Sequence, residues 1–237
     1  MIYDTLIVSD VHLGSPASLA EDLHQLLTDS TSTRVILLGD IFSDLNFSRL
    51  TKEHWRLISF IRKLSNPKRG VEVVWVEGNH DVGVTQVMEH LIGVKVYQEY
   101  AWEWQGKKCL AMHGHQFDAL YAERTPWFNG LITEVHIWIQ KVPLIRGWLP
   151  RILDKLHTRY QRLSTQVEDG AFRRAVQEGA SYIFCGHTHA AQRSVRDFVE
   201  YWNTGSWVDV NGTYITLGEG GVELHEFKKS TVLHDGH

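Results

Sequence analysis

Five short stretches of this sequence carry side chains that could bind cations and work on an anion. They are Asp10-Val11-His12, Gly39-Asp40, Gly78-Asn79-His80-Asp81, His113-Gly114-His115 and Gly186-His187-Thr188-His189. Each follows an apolar run that reads as a strand: Thr5–Ser9, Arg34–Leu38, Val71–Val76, Lys107–Met112 and Tyr182–Cys185. His187 and His189, two residues apart past a buried strand, are expected to leave an extended backbone on one side, and Asp10 and His12 to share one face. Gly186 lets the main chain come close to whatever they bind. A single His-x-His says little, because imidazoles also serve as hydrogen-bonded core or surface residues. Five such stretches, each after a strand and four beside a glycine, do not read as separate caps and surface residues.

The chemistry follows from the donor types. Oxygen and imidazole donors without thiolate suit manganese foremost, with iron or zinc as alternatives and magnesium less favoured. Asp10, His12, Asp40, Asn79, His113, His187 and His189 are too many for one tetrahedral site. They fit two divalent metal ions sharing a carboxylate, an arrangement in which the ions lie about 3.5–4 Å apart and clamp an in-line displacement at phosphorus. Two such ions outweigh the charges of Asp10 and Asp40, and the residual positive charge attracts phosphate.

Strands alternating with helical stretches must position these residues. A helix is expected at about 18–28, and Trp55, Ile58, Ile61 and Leu64 form an apolar stripe that ends at Pro67 and Gly70. The alternation over the first ninety or so residues argues a largely parallel α/β sheet, in which reactive groups collect at the carboxyl ends of strands. A strand at 100–104, a helix at about 166–178, and short strands with turns from Gln192 to Phe227 complete the pattern, before a tail at 228–237. The 237 residues are ample for one domain, and 43% apolar with 22% charged residues is the balance of a globular protein. With 24 Lys and Arg against 28 Asp and Glu, nothing draws the whole chain to nucleic acid, and no specific nucleic-acid partner is expected. Cys109 and Cys185 sit in apolar runs and read as buried thiols. The N-terminus enters a strand at once and carries Asp4 and Asp10, unlike a signal peptide, and no apolar run reaches spanning length, so a cytoplasmic location is expected.

In order and spacing, the five motifs resemble those of the calcineurin-like metallophosphoesterases over about residues 2–210. The resemblance implies a four-layer α/β/β/α sandwich with a helical insertion. It implies that Asp10, His12 and His189 hold one metal, that Asn79, His113 and His187 hold the other, and that Asp40 bridges them. It also implies hydrolysis by attack of a metal-bound hydroxide, with His80 contacting the phosphate and protonating the leaving oxygen. Some members orient that histidine with an acid three residues after the bridging aspartate; here that position is Ser43, and the acid comes at Asp44. His115, beside a ligand position, has two readings, orienting a ligand or coordinating, and is kept outside the metal set.

Between His113 and His187 the chain is longer than a crossover needs. Phe128, Leu131, Ile132, Val135, Trp138, Ile139 and Val142 fall on one helical stripe, Pro143 and Pro150 interrupt it, and 151–162 reads as helix again. Lys141, Arg146, Arg151, Lys155, Arg159 and Arg162 face only Asp154 in charge. An insertion at about 119–165 is therefore read either as a hairpin packed on the domain or as a lid. As a lid it would receive a substrate with acyl chains and phosphates, or touch an anionic membrane surface. The layout is similar to that of the UDP-2,3-diacylglucosamine pyrophosphatases, whose best-known branch has Arg in place of His80 and Asp in place of His115. Asn203-Thr204-Gly205-Ser206-Trp207 resembles their segment after the last motif. The expected partner is thus a phosphate-containing small molecule or a lipid-linked substrate. The alternatives are a phosphodiesterase or phosphatase for nucleic acid, cyclic nucleotide or phosphoprotein, and a non-catalytic interaction module that would be expected to lack ligands.

Overall fold

The computed structural model describes residues 2–83, 85–118, 149–208 and 211–228, with the backbone alone at 85–86 and 149–160. Two sheets pack face to face. The first runs β11-β10-β1-β2-β3-β4, with β1 at Ile2–Val8, β2 at Thr31–Leu38, β3 at Glu72–Val76, β4 at Lys95–Tyr97, β10 at Thr213–Gly218 and β11 at Gly221–Glu226. The second runs β5-β6-β7-β9-β8, with β5 at Glu99–Trp104, β6 at Lys107–Met112, β7 at Tyr182–Cys185, β8 at Gln192–Arg196 and β9 at Val199–Asn203. The expected parallel sheet is present as β1 to β4, extended by antiparallel β10 and β11. In the second sheet β6, β7 and β9 are parallel, and the edge strands β5 and β8 are antiparallel.

The period-two pattern of the strands explains the layering. In β1 and β2, Leu6, Val8, Val35 and Leu37 face helices α1 (Ala20–Asp29), α2 (Lys52–Leu64) and α3 (Thr85–Ile92), while Ile7, Ile36 and Leu38 face the other sheet. Between the sheets these residues meet Trp102, Trp104, Ala111, Phe184 and Trp202. On the far side, Val167, Ala171, Phe172 and Ala175 of α4 (Leu149–Glu178) cover Leu110, Met112, Ile183 and Tyr201. Each fully buried Leu, Ile or Phe contributes about 1.5–3 kcal/mol, so both helical layers are strongly held. The result is the four-layer α/β/β/α sandwich.

Two expectations change and one helix is added. Residues 151–162 and 166–178 belong to one helix, α4, because no breaker separates them and the interior Gly170 is tolerated once its face is packed. In α2 the buried face is His54, Leu57, Ile58 and Ile61, and Trp55 is exposed. Helix α3 gave no clear sequence signal, being only eight residues long. Both cysteines are buried and free, as expected. The apolar stripe at 128–142, the bases Lys141 and Arg146, and the tail beyond Lys228 lie outside the described residues; of Arg151, Lys155 and Arg159 only the backbone is described.

Candidate metal centre

All five motifs sit at carboxyl ends of strands: Asp10 after β1, Asp40 after β2, Asn79 after β3, His113 after β6 and His187 after β7. The loops are hydrogen-bonded to one another. The N–H groups of Asp10 and His12 donate to the carbonyls of Gly39 and Asp40, both at 3.0 Å, and Gly186 N–H donates to His113 O at 3.0 Å. Two glycines are needed where loops of opposite sheets touch. A Cβ at Gly39 would fall 2.4 Å from His113 Nδ1, and one at Gly186 would fall 2.6 Å from Asp10 Oδ2. Neither approach tolerates a side chain.

The backbone corrects one expectation. His187 and His189 do not share a side through an extended chain. Both are left-handed, with φ of 66° and 54°, as are Asp10 at 52°, His12 at 47° and Asp40 at 51°. Such conformations cost about 1–3 kcal/mol each and persist where surrounding bonds over-determine them. Their effect is to send the two histidines to different clusters. Asp10, His12 and His189 form one; Asp40, His113 and His187 form another; Asp40 also joins His12 and His80. Within each cluster the candidate donor atoms lie within 4.8 Å of one another. His12 and Asp40 each belong to two of the clusters, and of the two only Asp40 is a carboxylate, with two oxygens to offer neighbouring cations.

The distances suit a centre ready for cations. His189 Nε2 lies 3.1 Å from Asp10 Oδ1, and His12 Nε2 lies 3.3 Å from His189 Nε2. His113 Nε2 lies 3.3 Å from Asp40 Oδ2, while His113 Nδ1–H donates to Leu38 O at 2.9 Å. His113 Nε2 and Asn79 Oδ1 are buried and make no hydrogen bond. Leaving a buried donor or acceptor unsatisfied costs about 1–3 kcal/mol, a cost that cation binding removes. The donor set, neutral imidazoles with two carboxylates and an amide oxygen, fits divalent ions of the manganese, iron and zinc type.

Electrostatics point the same way. Burial pushes His12 down to about 4, leaving its ring neutral with a lone pair to offer. Burial would raise Asp10, but His189 and then His113 outweigh it and hold the carboxyl at about 2. Asp40 is likewise held well below the usual carboxylate range against burial, chiefly by His113 and His80. Burial opposes a charge on His113, but Asp40 beside it raises the ring to about 10. A proton on His113 therefore occupies the place a cation would take.

His80 donates Nδ1–H to the backbone carbonyl of Ser43 at 2.7 Å, and its N–H donates to Asp40 Oδ1 at 2.8 Å. Its Nε2 is thereby turned to the centre, 4.0 Å from Asp40 Oδ2. The orienting group is thus the Ser43 carbonyl. Asp44 instead accepts from Asn46 N–H and pairs with Arg49 at 2.8 Å. His115 is buried beside His113, with ring centroids 5.5 Å apart, and burial pushes it down to about 3. It falls in none of the three clusters.

Sequence reasoning passed over several supporting residues. Asp81 is fully buried and accepts from the N–H groups of Phe42 and Gly78, both at 3.1 Å, and from Trp75 Nε1 at 3.3 Å, so it ties the Asp40 loop to the Asn79 loop. Burial, reinforced by the charge of Asp40, raises it to about 6. Its place one residue after His80 was the available signal. Asn203 donates to Gly186 O at 2.8 Å and Thr188 Oγ1 at 3.1 Å, which fixes the turn carrying His187 and His189. Ser9 Oγ donates to Asp10 Oδ2 at 2.5 Å, and His54 Nδ1 accepts from the N–H groups of Gly14 and Thr51 at 3.3 and 3.2 Å. Asp118 reaches His187. No spacing rule marks these four: Asn203, His54 and Asp118 act across long sequence separations or on backbone, and Ser9 supports the residue next to it.

No curated protein matches the chain. Among solved structures, the fold resembles that of an archaeal phosphodiesterase at 15% identity and a TM-score of 0.52, covering 94% of this chain and 98% of that one. It also resembles Vacuolar Protein Sorting 29 from Cryptosporidium parvum, at 14% identity and 0.49, covering 96% and 99%. Yfce, a phosphoesterase from E. coli, matches at 14% and 0.48, covering 94% and 99%. At 15% identity the first of these likenesses speaks to the fold alone. The calcineurin-like phosphoesterase family profile matches residues 3–191, most of the chain and all five motifs, and the chain belongs to that family.

Proposed function

We propose that the protein is a dinuclear-metal-dependent phosphoesterase that hydrolyses a phosphodiester or pyrophosphate bond. The reading rests on one observation: three donor clusters linked through Asp40 and His12, with buried Asn79 Oδ1 and His113 Nε2 left unbonded beside them. Asp10, His12 and His189 would hold one cation, Asn79, His113 and His187 the other, and Asp40 both. Two divalent cations, manganese foremost, would supply Lewis-acid polarisation of the phosphoryl group and activate water as the nucleophile at neutral pH.

The chain's own residues do the rest. His80, held by Ser43 O through Nδ1, presents Nε2 where it hydrogen-bonds a phosphoryl oxygen and holds a proton for the departing oxygen. Asp40 is positioned by its bond from His80 N–H, so a single loop contact sets both the shared carboxylate and the acid. Asn203 and Asp81 keep the loops from spreading when an anion enters.

For the substrate we propose a lipid-linked nucleotide of the UDP-diacylglucosamine type, supported by the motif layout and by the basic, apolar character of 119–165. Contact of that segment with an anionic membrane face, in a cytoplasmic setting, belongs to the same proposal; none of the described helices is long and apolar enough to cross a membrane. Purified protein with Mn²⁺ is expected to hydrolyse bis(p-nitrophenyl) phosphate and UDP-diacylglucosamine. Hydrolysis of the first alone removes the lipid-linked substrate. Hydrolysis of neither, with any divalent ion, removes the catalytic reading.

A further inference from the structure

The candidate ligand His187 has two ring nitrogens, and one of them is already engaged outside the clusters. Its Nε2 lies 3.3 Å from Asp118 Oδ2, and the two side chains are only 11% and 12% exposed, so water screens the contact little. Near neutrality a carboxylate can only accept, so the proton of a neutral His187 must sit on Nε2. The lone pair is then on Nδ1, the nitrogen left for the cluster with Asp40 and His113. We propose that Asp118 is a positioning residue that holds His187 as the Nε2–H tautomer, directs Nδ1 to the cation shared with Asp40 and His113, and so sets the site for that cation.

Asp118 is itself braced. It closes a 3₁₀ turn at His115–Phe117, donating its N–H to His115 O at 3.1 Å, and Phe117 donates its own to Gly114 O at 3.1 Å. The Phe117 ring lies against bare backbone of α4, since a Cβ at Gly170 would fall 2.2 Å from it. Val167 of the same helix lies 3.0 Å from where a Cβ of Gly114 would be. Docking of α4 on the second sheet therefore fixes the turn, the turn fixes Asp118, and Asp118 fixes the ring. A carboxylate behind a ligating imidazole also raises its basicity, and loss of such a partner costs about 10–100-fold in metal affinity. The proposal rests on the dinuclear reading above.

The test is calorimetric titration of the whole chain with Mn²⁺, together with NMR of ¹⁵N-histidine-labelled protein loaded with diamagnetic Zn²⁺. Wild type is expected to take up two ions and to show His187 protonated at Nε2 and ligated through Nδ1. Asp118→Ala is expected to weaken one ion about 10–100-fold and leave the other within about twofold. Asp118→Asn, which keeps an acceptor, restores most of the loss. Gly170→Ala, which displaces Phe117 with Asp118 intact, weakens the same ion. Uptake by Asp118→Ala indistinguishable from wild type overturns the proposal, as does ligation through Nε2 in wild type; the latter reading stands even if Asp118→Ala does not fold. A wild-type chain that takes up no divalent ion overturns the dinuclear reading and this role with it, a result distinct from normal uptake by the variant.

Discussion

The two halves of the candidate centre are made of similar residues but set at different depths. In the outer half His189 is 37% exposed, and its contacts with Asp10 and His12 are all within the cluster. In the inner half His113 is fully buried, its far nitrogen bonded to Leu38 O, and His187 is backed by Asp118. Every imidazole of the inner half thus has an orienting partner behind it, and the outer half has its support at Asp10, through Ser9 and the N–H of His187. A ligand braced from behind loses little entropy on coordination, whereas an exposed one must be ordered by the ion itself. One centre therefore holds a firm seat and a looser one.

The difference between the two seats can be measured through ion uptake and turnover. The largest effect is expected from Asp40→Ala, which removes the carboxylate proposed to serve both halves. Turnover should fall by more than the ~10³-fold typical of deleting one electrostatic stabiliser, with uptake of both ions impaired. Retention of two tightly held ions by this variant would show that the halves are independent. His80→Ala comes next: kcat should drop by about 10²–10⁴-fold with ion content unchanged by elemental analysis, because the imidazole lies outside both ligand sets.

The contrast itself is tested by graded chelation. Dialysis against a weak chelator should strip the outer ion first. His189→Ala should lose that ion alone, whereas His113→Ala should impair the inner one by the ~10–100-fold or more that well-held ligands contribute. Equal loss from both halves would mean that depth does not matter. The last effect is on folding stability, and it concerns pH. Free imidazole titrates near 6.5, and Asp40, against the opposing effect of burial, raises His113 in the folded, ion-free chain to about 10. The folded state holds the extra proton between those values. Urea unfolding of chelated protein should therefore show this stabilisation in full below about pH 6.5 and losing it as pH rises to about 10, with His189, also raised, acting in the same sense. Affinity for the inner ion should rise with pH over the same range, since the ion displaces that proton.

Much of this arrangement was legible in the chain because strand ends in an α/β sandwich are marked twice, by an apolar run and by the polar residue that breaks it. Asp10, Asp40, Asn79, His113 and His187 could each be placed at a carboxyl end on that basis. Helix α4 was not drawn whole: 151–162 and 166–178 read as separate segments, one assigned to the insertion and one to the domain, although no breaker lies between them. Trp55 was misplaced for another reason: its spacing fits the stripe, but His54 takes the buried position and uses it to hold Gly14.

Which donors are available, that they lie at strand ends, and that neutral nitrogen and oxygen outnumber charge can all be read from the chain, since composition and periodicity are local properties. It took the folded chain to part His187 from His189, to set the Ser43 carbonyl rather than the Asp44 carboxylate against His80, and to stand Asp118 behind His187. Those choices depend on left-handed turns and on contacts between residues tens of positions apart, which have no period and leave no local trace.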